Sequence, residues 1–154
     1  MVNFKPKMKV QMQMSASAAS HARADISVRD VTGIIDEPKE RGGTNMGLTP
    51  TETLMASLIG CTNVITQRIA HTMGVEIGSM DIGLTAEIDR RGVLLQEEVE
   101  QPFSNIVMNI DVTTDATPEQ MEAIRTDLQK FCPVAKVIRG SGITITENWT
   151  VSAL

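Results

Sequence analysis

The chain has little of what metal centres, membrane spans and nucleic-acid surfaces are made from. It holds only two cysteines, Cys61 and Cys132, and two histidines, His21 and His71, with no CxxC spacing, so neither the number nor the pattern of a structural zinc site is there. Positive charge is not in excess: a net charge of −5 works against binding to nucleic acid or to an anionic membrane surface. No apolar run of spanning length occurs, because the one long apolar stretch, 50–73, is interrupted by Thr62, Asn63, Thr66, Gln67, Arg68 and His71. The basic N-terminus, Lys5 to Lys7, leads into Gln11 and Gln13 rather than into an apolar segment. No secretory leader is therefore expected, and the expected compartment is the cytoplasm.

What is there reads as one soluble α+β domain covering 1–154, with 42% hydrophobic and 21% charged residues. Val10, Met12, Met14, Ala16 and Ala18 alternate in the period of a half-buried strand. With a return strand from Ala24 to about Val31 and a third extended piece at Ile34 and Ile35, they make 1–37 an antiparallel meander. Gly42, Gly43 and Gly47 mark 38–48 as a loop. Thr49-Pro50-Thr51-Glu52 is a complete capping box, and the helix it starts, 49–74, has apolar residues on nearly all sides of its first half. The segment 75–154 contributes a long hairpin with a charged connection from Asp89 to Gln101, then a second capped helix with Met121, Ile124, Leu128 and Phe131 in one stripe. A short turn over 134–139 and a last strand carrying Ile143, Ile145 and Trp149 complete it. The methionines from Met8 to Met121 are expected to be mainly core filler.

The two thiols sit in different settings. Cys61 lies in the middle of the apolar helix, where hydrocarbon raises a thiol's pKa and keeps it inert unless a charge activates it. Cys132 follows the second helix, in Phe131-Cys132-Pro133-Val134. In a reducing compartment such a pair points to redox chemistry more than to a structural staple: one thiol attacks and the other resolves.

In this order, Pro38-Lys39-Glu40-Arg41-Gly42-Gly43, Thr49-Pro50-Thr51-Glu52-Thr53-Leu54, Gly60-Cys61-Thr62 and Cys132-Pro133-Val134 resemble the OsmC/Ohr family of thiol-dependent hydroperoxide reductases, and most of all its OsmC-like branch. The resemblance implies an OsmC-like fold, with curved antiparallel sheets around a long central apolar helix, assembled as an intertwined homodimer. It implies that Cys61 is peroxidatic toward an organic hydroperoxide or H2O2, that Cys132 is resolving, and that a dithiol, from a lipoylated protein or a thioredoxin-like partner, reduces the disulfide. No cofactor or metal is implied. An arginine and a glutamate are implied beside the first cysteine. Arg23 is the closest match for the arginine, with Arg29 and Arg68 as alternatives. Glu52 matches the glutamate one place later than in the Ohr enzymes. Glu52 also fits a plain capping role, and nine residues along an ideal helix is ~13.5 Å and half a turn out of phase. It therefore acts on Cys61 only if the helix breaks or a second chain supplies it. Ala135 stands where many relatives carry histidine. The rival reading is a protein of this fold that binds a small apolar ligand or senses redox state with little turnover.

Overall fold

The computed structural model describes residues 7–154, and its order of elements is β1 (Ser15–Ala18), β2 (Ala24–Val28), β3 (Val31–Ile35), α1 (Pro50–Thr72), β4 (Ile77–Ile88), β5 (Phe103–Thr114), α2 (Pro118–Phe131), α3 (Pro133–Gly140) and β6 (Thr144–Ala153). The described residues form a mixed α+β arrangement with three α-helices and two three-stranded sheets. Two compact units meet in sequence at Leu54 and Met55, within α1.

In the N-terminal unit, β1, β2 and β3 form an antiparallel meander. The expected strand from Val10 begins only at Ser15. Val10, Met12 and Met14 have the alternation of a strand, but they are 74%, 89% and 66% exposed, and no strand among the described residues pairs with them. The expected return strand to Val31 is split by a two-residue turn at Arg29 and Asp30, where Arg29 adopts a left-handed φ of 54°. The loop that follows is closed at its base, where Asp36 donates its N–H to the Leu48 carbonyl and Ile35 pairs with Leu48. Glycine is required inside it: a Cβ at Gly43 would lie 1.7 Å from the Glu37 carbonyl oxygen, and one at Gly47 would lie 2.1 Å from that of Ile34.

In the C-terminal unit, β5 is the central strand and buries Ile106, Met108, Ile110 and Val112 at every second position. It pairs antiparallel with β4 and parallel with β6. The expectation of purely antiparallel sheets is corrected here. The chain passes through α2 and α3 between β5 and β6, and a crossover of that length returns the strand parallel to its neighbour. The helices cover this sheet with Leu58, Thr62, Thr66, Ile69 and Ala70 from α1, Met121, Ile124 and Leu128 from α2, and Ala135 and Ile138 from α3.

Two further expectations change. Phe131 is 61% exposed, and its place at the end of the α2 stripe is taken by Cys132, because the chain leaves the helix there and turns inward. Among the methionines of the described residues only Met108 and Met121 are buried, while Met8, Met12, Met14 and Met46 are exposed. No helix among the described residues is long and apolar enough to cross a membrane.

Candidate functional site

The proline after Cys132 shapes one half of the site. Pro133 opens α3, and the residue before a proline is held out of the helical region, so Cys132 is extended with φ −72° and ψ 107°. That single residue closes α2 and opens α3. Its N–H donates to the Leu128 carbonyl, its carbonyl accepts from Lys136 N–H, and its Sγ accepts from Ala135 N–H at 3.4 Å. The side chain is fully buried against the core of the C-terminal unit.

Cys61 arrives from the middle of α1, on the flank of the buried Leu58–Thr62–Thr66 row. It is half-buried and packs against the same core, and at its neighbour Gly60 a side chain would meet nothing within 4 Å. The two sulfurs lie 2.8 Å apart, with Cys132 donating to Cys61, and both thiols are free. An S–S bond would hold them at ~2.05 Å. Residues 71 positions apart in sequence are thus in direct contact. Burial pushes the Cys132 thiol up to about 11, and its contact with Cys61 adds to the rise, while the Ala135 amide opposes it.

The charged candidates have partners of their own in the N-terminal unit. Arg23 donates from Nε to Asp25 Oδ1 at 2.6 Å and from Nη1 to Met46 Sδ at 3.4 Å, and the Asp25 hydrogen bond holds its pKa above the usual guanidinium value. Glu52 accepts from Thr49 N–H at 2.8 Å while Thr49 Oγ1 accepts from Glu52 N–H at 3.3 Å, so the capping box closes in both directions. Those bonds, with Thr49 N–H first, lower the Glu52 pKa. Arg29 is an exposed turn residue, and Arg68 is exposed on α1.

Sequence reasoning did not single out Asp36 or the Ala135 amide. Asp36 is fully buried and accepts from the N–H groups of Glu37, Thr44 and Met46 and from the Thr44 hydroxyl, which together order the glycine loop and lower its pKa. The signal for it is an aspartate entering a Pro/Gly-rich loop. A backbone amide leaves no signal beyond Pro133, which starts the helix that presents it.

The family model described as OsmC-like protein matches residues 43–148. Among curated proteins no sequence matches. Among solved structures the chain is similar to an OsmC-like protein from Mycoplasma pneumoniae at 16% identity and a TM-score of 0.77, covering 94% of this chain and 99% of that one. It is similar to an organic hydroperoxide resistance protein OsmC from Legionella pneumophila at 14% identity and a TM-score of 0.67, covering 94% and 99%. The organic hydroperoxide resistance protein OhrB of Bacillus subtilis matches at 19% identity and a TM-score of 0.59, covering 92% and 98%.

Proposed function

Because the chain belongs to the OsmC-like protein family, we propose that it is a thiol-dependent peroxidase that reduces organic hydroperoxides, with Cys61 as the attacking and Cys132 as the resolving thiol. One observation carries the reading: a half-buried and a fully buried cysteine in sulfur–sulfur contact at 2.8 Å. The half-buried member of such a pair is the one a peroxide reaches. The buried member, already at bonding range, is the one that traps the product. Solved relatives of the same fold carry the name organic hydroperoxide resistance protein, which supports the choice of substrate class.

The chemistry balances in two steps. The Cys61 thiolate attacks the terminal peroxide oxygen, an S–O bond forms as the O–O bond breaks, and the alkoxide leaves and takes a proton from water. Sulfur is oxidised to sulfenic acid and the peroxide is reduced to alcohol. Cys132 then attacks the Cys61 sulfur, hydroxide leaves as water, and a disulfide forms. An external dithiol, on a lipoylated or thioredoxin-like protein, restores both thiols by exchange. A cycle that needs such a reductant suits the cytoplasm.

The reading includes a homodimer, with Arg23 and Glu52 as supporting charges. Exposed apolar residues favour a second copy: Leu54 and Val64 on α1, and Met8, Val10, Met12 and Met14 before β1. Light scattering on the purified protein should give twice the 16.7 kDa chain mass. For the activity, cumene hydroperoxide is added with dithiothreitol or a dihydrolipoyl carrier protein, and peroxide loss is followed. Cys61→Ser should abolish turnover. Equal rates in wild type and variant would remove the proposal.

A further inference from the structure

We infer that Cys132 acts before resolution, as the hydrogen-bond donor that keeps Cys61 in its thiolate form, the two sulfurs sharing one proton. This rests on Cys61 being the attacking thiol. A thiolate among hydrocarbon needs a compensating group, and a donor aimed at the charged form is one of the three ways a protein supplies it. The donor is in place: Cys132 Sγ lies 2.8 Å from Cys61 Sγ and gives the hydrogen bond. Its geometry is set from behind. The Ala135 N–H already donates to the Cys132 sulfur at 3.4 Å, and α2 and α3 pin the residue on both sides, so the S–H is left to face Cys61.

The proton stays on that sulfur. Burial, the Cys61 contact and charge on Cys61 all oppose ionisation of Cys132, and only the amides of Ala135 and Val134 favour it. Among the described residues no charged side chain other than Cys61 figures in the balance. The Cys132 thiol is thereby pushed up to about 11, and its proton remains available to the Cys61 sulfur. A hydrogen bond to an ionised group is stronger than one between neutral groups, so the arrangement favours a charge on Cys61. It also makes the resolving step self-contained. Once Cys61 carries a hydroxyl, the Cys132 sulfur bonds to the Cys61 sulfur, and the Cys132 proton leaves with the departing hydroxide as water.

The test is the pH profile of Cys61 alkylation by iodoacetamide, located by peptide mass mapping, in wild type, Cys132→Ala and Cys132→Ser. Removing the donor in Cys132→Ala should move the midpoint up by about one pH unit or more and slow alkylation at neutral pH about tenfold. Cys132→Ser keeps an O–H donor in nearly the same shape and should stay close to wild type. A thiol that only resolves would leave the profile unmoved in both. A wild-type profile in Cys132→Ala, or an equal shift in both variants, would overturn the inference. Alkylation needs no peroxide. A profile that shifts as expected without peroxide consumption would therefore sink the peroxidase reading and keep the hydrogen bond, and the opposite pattern would do the reverse.

Discussion

Every buried hydrophobic side chain among the described residues, from Leu58 to Ile143, belongs to the C-terminal unit, whereas the residues buried in the N-terminal unit are Asp36 and Thr49. The C-terminal unit is held by a sheet face and three helices sharing one hydrocarbon core. The N-terminal unit is held by hydrogen bonds and by close backbone approaches at glycine, and it leaves Val31, Met46 and Leu48 about half exposed or more. Apolar burial is the main force that stabilises a domain. A three-stranded meander without it depends on what covers it, and this supports a second copy as part of the proposed enzyme. The sulfur pair sits in the unit with the core, where its two side chains are fixed by packing.

The largest effect should come from the core. Ile124→Ala, at a side chain with 0% exposure, should cost about 2–5 kcal/mol in urea denaturation. Val31→Ala in the other unit, 49% exposed, should change stability by no more than about 0.5 kcal/mol. Comparable losses at the two sites would break the comparison. Next in size is Gly43→Ala, whose Cβ would overlap the Glu37 carbonyl, so that the backbone itself has to move at a cost of roughly 1–3 kcal/mol. Gly83→Ala on β4 is the control, since its nearest atom is the Asn109 carbonyl oxygen at 3.9 Å. Limited proteolysis should open 36–48 in the first variant and leave the second intact.

A smaller effect separates the units by pH. Hydrogen bonds from Thr44, Met46 and Glu37 lower the Asp36 pKa against the opposing effect of burial. A depressed carboxyl contributes stability above its unfolded value of ~3.9, and that stability is lost as the pH falls through the folded value. Acid should therefore loosen the glycine loop, and Asp36→Asn should show the loosened loop already at neutral pH. Carbon-detected NMR of the Asp36 carboxyl gives the titration directly. A midpoint at or above ~3.9 would contradict the role assigned to these bonds.

How far the sequence could be read follows the same division. The capping boxes at Thr49 and Thr117 and the alternation along β4 and β5 are local signals, and the helices and strands stand where they point. The Cys61–Cys132 contact was legible only through the motifs around it, since spacing alone does not bring distant residues together. The parallel pairing of β6 depends on a crossover, which no period-2 pattern records. Phe131 fits the α2 stripe by helical spacing, yet Pro133 turns the chain one residue later and Cys132 takes the inner position. Val10 to Met14 has a strand's pattern and, among the described residues, no strand beside it, for pattern reports which face is apolar and not what covers it.

Glu52 gives the finest discrimination, because it has two candidate roles that one substitution separates. Its carboxylate accepts from Thr49 N–H, and a glutamine carbonyl can accept the same bond, as Gln120 does from Thr117 N–H at the start of α2. Glu52→Gln should therefore leave thermal stability within a few tenths of a kcal/mol, whereas Thr49→Ala, which removes the cap hydroxyl, should cost about 1 kcal/mol. If the residue only caps, peroxide turnover in Glu52→Gln stays at the wild-type rate. If its charge takes part at Cys61, turnover falls about tenfold or more while the melt is unchanged, the scale expected for losing a charge-assisted hydrogen bond. The proposed supporting role requires the second result, and a wild-type rate would reduce Glu52 to the architecture of α1.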